Sequence, residues 1–263
     1  MTMPSSRYWS IIKKVINEAD IVLEVLDARD PYLTRNGRIE KLVLDKGKRL
    51  ILVINKADLV PKEVLEKWKR VFSRELPTIF LSARDRLGTR YLWRYIKMYA
   101  PKFPVKVAVV GYPNVGKSMI INVLKGRHSS GTSPIPGFTK SSLRVRASTN
   151  IVVIDTPGVF PPSADERELV LYSALRPEAL EDPVVPAIHL IKFALSRDPL
   201  VFEKVYGITE KDPIKILSEL ARKRGLYLKG GQLNIEEVAR IIIRDWQRNK
   251  LVFFSRPEDY NLT

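Results

Sequence analysis

The chain has 263 residues, 45% hydrophobic and 28% charged, which excludes a disordered chain and favours a globular protein with one large and one smaller domain. It has no cysteine, which excludes disulfides and thiolate metal sites. Residues 1–164 carry 29 Lys and Arg against 13 Asp and Glu, so the net charge of +16 lies there, and residues 165–263 carry 16 of each. Such charge favours a polyanionic partner, nucleic acid first and an acidic membrane second, or else a surface that only aids solubility.

No apolar stretch is long enough to cross a membrane, and residues 1–10 lack the apolar run of a secretory signal. From these two observations we expect a cytoplasmic protein that does not contact a membrane. We also expect a monomer.

Strand-like and helix-like patterns alternate over the first 160 or so residues, which predicts an α/β fold with a parallel-rich sheet flanked by helices. Buried strands are predicted at Ile21–Ala28, Arg49–Asn55, Thr78–Ser82, Lys106–Val110 and Ile151–Asp155. The alternating residues Leu143–Ala147 predict a half-buried edge strand, and Lys62–Arg74 predicts a helix with one apolar face.

The segment Pro161-Pro162-Ser163 interrupts this alternation and predicts a domain boundary. The rest of the chain has mostly helical patterns, so we expect domains at residues 1–162 and 163–263. The clearest helix runs from about Ile235 to Lys250, with Asn234 at its N-cap and Glu237 three residues later, as in a capping box.

A phosphate-binding loop is predicted at Gly111–Ser118, which matches G-x-x-x-x-G-K-[ST] between a strand and a helix. Gly111 and Gly116 let backbone N–H groups curl around phosphates, and the following helix adds a favourable dipole. Lys117 would bridge the β- and γ-phosphates, and Ser118 would bind Mg²⁺. The expected nucleotide-binding residues of this loop are Asn114, Val115, Gly116, Lys117 and Ser118.

The last predicted strand ends at Asp155, the first residue of the segment Asp155-Thr-Pro-Gly158, which lies about forty residues after the phosphate loop. In proteins with such a loop, an Asp at this point holds Mg²⁺, and the glycine N–H reaches the γ-phosphate. Alone, a D-x-x-G segment is more often a turn. Together with the phosphate loop, it predicts that Asp155 and Gly158 belong to the same site.

Guanine rather than adenine is indicated by Asn55-Lys56-Ala57-Asp58, which resembles the N-K-x-D motif of translation-factor-type GTPases. The Asp58 carboxylate can accept hydrogen bonds from N1–H and the 2-amino group of guanine, donors that adenine lacks. Lys56 would pack over the base, and Asn55 would tie this loop to the phosphate loop. The segment Ser82-Ala83-Arg84 resembles the second base-contacting loop of these enzymes, with Ser82 and Ala83 as the expected nucleotide-binding residues. The alternative is that the four residues form only a helix N-terminal turn.

The motif order is permuted, because the guanine motifs precede the phosphate loop. This order resembles the YlqF/RbgA (ribosome biogenesis GTPase A) family, as do Leu26–Pro31, Pro136–Thr139 and the downstream segments Arg222–Gly225 and Lys229–Gly231. The resemblance covers nearly the whole chain. It implies GTP and GDP as ligands, slow GTP hydrolysis stimulated by a partner, and assembly of the large ribosomal subunit through the particle or its rRNA.

The resemblance also implies residue roles. Thr139 would be the switch threonine that binds Mg²⁺ and senses the γ-phosphate, so Lys117, Thr139 and Gly158 are the expected catalytic residues. Val159 stands where Ras-type enzymes have a water-orienting glutamine. Asn114 is similar to the asparagine that binds K⁺ in cation-activated GTPases, where K⁺ replaces an arginine finger, or else it only stabilises its turn.

One departure from the family concerns a catalytic histidine. Bacterial members carry an N-terminal Pro-Gly-His-Met segment that this chain lacks, since its only histidines are His128 and His189. We expect packing from His189, which lies in an apolar stretch. The position of His128 near the phosphate loop makes it the alternative catalytic histidine.

The permuted order makes Asp155–Gly158 the last motif before the helical domain, so we expect the nucleotide state to change that domain's orientation. Candidate RNA contacts on the domain are the stripe Arg240, Arg244 and Arg248 and the cluster Arg222-Lys223-Arg224. The alternative is a solvated face in which Glu236 pairs with Arg240. Two other functions stay open: a GTPase in another RNA or protein-complex process, and a nucleotide-binding module without hydrolysis.

Overall fold

A computed structural model describes residues 5–126, 144–148, 150–155 and 166–262, with side chains for residues 9–126, 150–154 and 166–262. The chain divides into two compact units, Met1–Pro162 with Arg256–Thr263, and Ser163–Ser255. In the described part of the chain, no helix is both long enough and apolar enough to span a membrane. The predicted boundary at Pro161–Ser163 lies outside the described residues.

The first unit alternates helices and strands: α1 Ser5–Glu18, β1 Ile21–Asp27, α2 Gly37–Asp45, β2 Arg49–Asn55, α3 Lys62–Phe72, β3 Thr78–Phe80, α4 Thr89–Tyr99, β4 Val105–Val110, α5 Lys117–Lys125, β5 Arg144–Ser148 and β6 Ile151–Asp155. These six described strands form one sheet in the order β3-β2-β1-β4-β6-β5. All neighbours are parallel except β5 and β6. The predicted parallel-rich α/β sheet is confirmed.

The centre of the sheet is the core of this unit. Every residue of β1 is buried, and in β2 and β4 all but Arg49 and Lys106 are. Strands covered on both faces are mostly apolar, with Glu24 as the exception inside β1, and this is why the positions of these strands were predictable to within one residue. The expected edge strand, predicted at Leu143–Ala147, is described over Arg144–Ser148.

A carboxyl group is buried within β1. Glu24 Oε1 accepts a hydrogen bond from the Asn36 backbone N–H at 2.7 Å, and Oε2 has no hydrogen-bond partner among the described residues. Burial raises the pKa of Glu24 well above its usual value, and the nearby Glu40 carboxylate raises that pKa further. The folded protein therefore retains this proton at a pH where the unfolded chain has lost it.

We predict that Glu24→Gln stabilises the protein increasingly as pH rises. The stability contributed by protonated Glu24 is complete below the pKa of about 4.3 in the unfolded chain, and it is lost as pH rises through the raised folded pKa. Glutamine keeps the acceptor for Asn36 and has no proton to lose. Urea unfolding of both proteins between about pH 5 and about pH 8 measures the difference. The exposed Glu63→Gln is the control, and a pH-independent difference for Glu24→Gln would contradict the assignment.

The second unit is mostly helical, as predicted, with α6 Glu166–Leu171, α7 Val184–Arg197, α8 Val201–Tyr206, α9 Pro213–Lys223 and α10 Ile235–Gln247 among its described residues. The Asn234 side chain caps α10 by accepting from the Glu237 backbone N–H at 3.1 Å. Helix α10 ends three residues before the predicted Lys250. Its apolar face, including Val238 and Ile242, is buried.

The last eight residues differ from the prediction, which placed them in the helical domain. Arg256–Thr263 group with the first unit, because a short 3₁₀ turn at Pro257–Tyr260 packs there. The Tyr260 hydroxyl donates to Asp30 Oδ2 at 2.6 Å, and its ring lies 4.4 Å from that of Tyr32. The hydrogen bond joins residues 230 positions apart, and the ring contact spans a similar separation, so no local pattern predicts them.

Candidate nucleotide-binding site

Four motif segments follow the carboxyl ends of parallel strands, and the sheet brings them to one edge. Asn55 ends β2, Ser82 follows β3, Gly111–Ser118 follows β4 and Asp155 ends β6. Strands β2 and β3 lie on one side of β1, whereas β4, β6 and β5 lie on the other side, so the direction of strand addition reverses between β1 and β4. Open α/β sheets bind ligands at this reversal point. The motifs therefore share one edge although their chain order is permuted.

The phosphate loop is held by two glycines in conformations that other residues avoid. Gly111 has φ +140° and Gly116 has φ +99°. A Cβ at Gly111 would lie 2.5 Å from the Val25 carbonyl oxygen of β1, and one at Gly116 would lie 2.1 Å from Asn55 Nδ2. Both contacts are shorter than real side chains make, so the curled backbone depends on glycine. This shape, which continues into the N-terminus of α5, fits a phosphate group.

Lys117 lies inside the same loop. Its side chain is buried, and Nζ donates to the Tyr112 carbonyl oxygen at 2.6 Å. The ammonium charge is thus held by the loop that the sequence assigns to phosphates.

Asn55 connects three segments of the site. Its Nδ2 donates to the Val115 carbonyl oxygen at 2.9 Å, and its Oδ1 accepts from the Ala83 backbone N–H at 3.0 Å. The side chain is buried. One amide therefore fixes the phosphate loop and the Ser82–Ala83 loop relative to the end of β2.

A buried ion-pair cluster lies beside Asn55. Asp27 accepts from Arg29 Nε at 3.0 Å and Nη2 at 2.7 Å, and from Lys56 Nζ at 2.7 Å. Burial alone would raise the pKa of Asp27, but the charges of Arg29 and Lys56 outweigh it and hold that pKa well below its usual range. Burial lowers the pKa of Lys56 to about 8, although Asp27 opposes the change. The cluster holds Lys56 in a left-handed conformation (φ +66°) at the start of the loop bearing Asp58.

Asp58, the expected guanine acceptor, is paired with an arginine. Arg84 Nη2 lies 2.7 Å from Asp58 Oδ2, and Arg84 also contacts Asp85. The Asp58 side chain is 10% exposed, whereas that of Arg84 is 59% exposed. If Asp58 accepts hydrogen bonds from guanine, the Arg84 guanidinium would have to move, because the guanidinium and the guanine base both present N–H donors to this carboxylate.

We predict that Arg84→Ala accelerates guanine-nucleotide association and tightens binding by up to about five-fold, since solvent around the exposed Arg84 guanidinium limits the ion pair to about 1 kcal/mol or less. Stopped-flow fluorescence with a labelled GDP measures the rate, and the exposed Arg70→Ala on α3 is the control. Slower association or weaker binding would show instead that Arg84 supports the bound base.

The magnesium side of the site is described only in part. Ser118 is exposed at the start of α5, and the backbone of Asp155 pairs with that of Val109, two residues before Gly111. Among the described side chains, no group of three acidic or histidine residues is arranged to hold a metal. Thr139, Gly158, Val159 and His128 lie outside the described residues.

Asn114 has φ +59° and is half-buried in the phosphate loop. This conformation agrees equally with the turn-stabilising role and with the K⁺ role, so the K⁺ assignment stays a prediction.

The candidate RNA contacts of the second unit are largely paired with acidic side chains. Arg240 Nη1 lies 3.4 Å from Glu236, as the alternative interpretation expected. Arg244 contacts Glu178 at 2.8 Å and Glu237 at 3.7 Å. Lys223 and Arg224 contact Glu219 and Asp245, at 3.5 and 3.6 Å. His189 is half-buried on α7, which agrees with packing.

The sequence analysis did not assign Asp27 and Arg29 to the site, and it named Arg84 only within the Ser82–Arg84 loop, without its pairing with Asp58. Asp27 and Arg29 lie in Leu26–Pro31, a segment that the sequence distinguished only by its family resemblance. A sequence signal for the buried cluster does exist: Asp27 ends a strand that is buried throughout, where a charged residue needs a partner.

Residues 106–219 match the family described as 50S ribosome-binding GTPase. An uncharacterized GTP-binding protein of Methanocaldococcus jannaschii is 43% identical over 248 residues, covering 93% of this chain and 66% of that protein. Nucleolar GTP-binding protein 2 of Schizosaccharomyces pombe is 35% identical over 266 residues, covering 97% of this chain and 49% of that protein. This chain thus spans about half to two thirds of the length of these curated relatives.

A crystal structure of GNP-bound YlqF from T. maritima superposes with a TM-score of 0.67 at 26% identity, covering 96% of this chain and 99% of that one. This likeness extends over both units. With the permuted order of the motifs on one sheet edge, it shows that the chain belongs to the YlqF/RbgA family of circularly permuted GTPases.

Proposed function

We propose that this protein binds GTP and GDP, hydrolyses GTP and acts in assembly of the large ribosomal subunit. The observation that carries the proposal is the Asn55 junction, which joins the phosphate loop to the Ser82–Ala83 loop of the guanine site. The ribosomal part is supported by the matched family's description and by the basic charge of residues 1–164. We propose a cytoplasmic monomer that contacts the particle or its rRNA.

Each part of the nucleotide has expected partners on this chain. The backbone of Asn114–Lys117 and the Lys117 ammonium would hold the phosphates, and Asp58 would accept hydrogen bonds from guanine. Ser118, Thr139 and Asp155 would hold Mg²⁺, which neutralises developing negative charge when bound. Lys56 would pack over the base, and Ser82 and Ala83 would border it.

We expect hydrolysis to be slow without a partner. Val159 replaces a water-orienting glutamine, so the chain lacks that group for positioning water. Lys117, Thr139 and the Gly158 N–H would stabilise charge on the γ-phosphate. K⁺ held at Asn114 would add to this stabilisation.

The nucleotide state is expected to govern the orientation of the second unit. Ten residues connect the end of β6 to α6, and they include Gly158. Loss of the γ-phosphate would release that glycine's contact and change the connection. Small-angle scattering with GDP and with a GTP analogue tests this, and superimposable profiles would contradict it.

The proposed function is tested by measuring GTP hydrolysis in K⁺ and in Na⁺ buffer, with and without purified large ribosomal subunits. We expect the particle to stimulate hydrolysis at least ten-fold, in the range that added transition-state charge stabilisation gives. Lys117→Ala should remove the stimulated activity. Hydrolysis that subunits leave unchanged would contradict the ribosomal role, and no hydrolysis in any condition would leave a nucleotide-binding module.

A further inference from the structure

The outer face of α4 carries cations and apolar side chains without any acidic residue. Arg90, Arg94 and Lys97 are spaced at i, i+4 and i+7, which places them in one row. Tyr91 and Met98, each 58% exposed, lie along the side of this row. All five residues are exposed, and we call them the α4 face.

The charges of the α4 face are not neutralised within the described structure. No described carboxylate pairs with Arg90, Arg94 or Lys97, whereas Arg240 and Arg244 of α10 pair with glutamates. Adjacent like charges on a helix repel one another, which disfavours such a row unless another group compensates for it. We therefore expect an external polyanion to neutralise the charges of this row.

We propose that the α4 face binds RNA, with its cations on backbone phosphates and Tyr91 stacked on an unpaired base. An acidic protein surface would satisfy the cations, but it would not account for an exposed tyrosine beside them. Single-stranded RNA offers both phosphates and base faces. The proposal rests on the proposed ribosomal function, and it moves the main RNA contact from the arginines of the second unit to the nucleotide-binding unit.

The α4 face adjoins the guanine loop without being part of it. Helix α4 begins just after the Ser82–Gly88 segment, in which the Ser82 N–H donates to the Leu87 carbonyl oxygen at 3.0 Å. Leu92 and Ile96 on the opposite side of the helix are fully buried and anchor it. Substitutions on the outer face should therefore leave nucleotide binding unchanged, which separates RNA affinity from the state of the nucleotide site.

The test compares two triple variants that remove the same charge. Arg90→Ala/Arg94→Ala/Lys97→Ala removes the α4 cations. Lys41→Ala/Lys46→Ala/Arg49→Ala removes three exposed cations, which lie in α2, in the turn after it and at the first position of β2, and for which no described ion pair exists. Affinity for protein-free large-subunit rRNA is measured by filter binding over a series of salt concentrations, and binding to intact subunits by co-sedimentation.

We expect the α4 variant to lose at least ten-fold in rRNA affinity at low salt, with the log–log salt slope reduced by about 2. The control should stay within about two-fold of the wild type. Tyr91→Ala should weaken binding by about five-fold or more and leave the salt slope unchanged. Labelled-GDP affinity should not change in any of them.

Equal losses in the two triple variants would overturn the proposal in favour of nonspecific charge. Loss of subunit binding without loss of rRNA binding would also overturn it, in favour of a protein partner. If the wild type binds rRNA through the α4 face but does not bind subunits, the result contradicts the proposed ribosomal function and supports RNA binding by the α4 face.

Discussion

Asn55→Ala is expected to weaken GDP and GTP binding by about 100-fold or more. The substitution leaves the Val115 carbonyl oxygen and the Ala83 N–H without the partner that each has now, and an unsatisfied buried group costs about 1–3 kcal/mol. It also releases the phosphate loop from the Ser82–Ala83 loop, so the two halves of the site lose their alignment. Titration of a fluorescent GDP measures the affinity.

The exposed Asn17→Ala on α1 controls for the loss of an asparagine amide. Thermal unfolding of both variants distinguishes a folded protein with a misaligned site from a protein that has lost its fold. If Asn55→Ala folds and binds GDP within about five-fold of the wild type, a difference near 1 kcal/mol, the junction is not what organises the site.

Gly111→Ala is expected to lower the free energy of unfolding by roughly 3 kcal/mol or more and to abolish measurable nucleotide binding. Two costs add: an alanine at φ +140° is strained, and its Cβ would lie 2.5 Å from the Val25 carbonyl oxygen. That oxygen belongs to the backbone of central strand β1, so it cannot move without displacing the sheet. Urea unfolding gives the stability, and the GDP titration gives the affinity.

Gly47→Ala is the matched control, because Gly47 also has a positive φ, +62°, but a Cβ there would meet nothing within 4 Å. It should cost only about 1 kcal/mol of left-handed strain and leave binding intact. Equal effects of the two substitutions would mean that the clash with β1 contributes nothing and that the loop can be remodelled.

The sheet was predictable because its central strands are buried on both faces. Apart from Glu24 in β1, the buried parts of β1, β2 and β4 are apolar runs, and each run leads into a polar motif. A parallel sheet then places those motifs at one edge whatever their order in the chain, which is why permutation did not obscure the fold.

The pairing within the site was not predictable from local patterns. Lys56 reaches Asp27 because the register of β1 and β2 aligns Asp27 with Asn55. The contact between Asp58 and Arg84 likewise depends on the neighbouring position of β2 and β3. The sequence indicates that each residue is polar and follows a strand, but its partner is set by strand order and register.

The measurement that tests the central claim most directly is competition of GDP and ADP for the wild-type protein and for Asp58→Ala. A guanine site built on the Asp58 carboxylate predicts that GDP binds at least about 100-fold more tightly than ADP, and that Asp58→Ala removes most of this preference. Equal affinities of the wild type for GDP and ADP would contradict the guanine assignment, even with the phosphate loop intact.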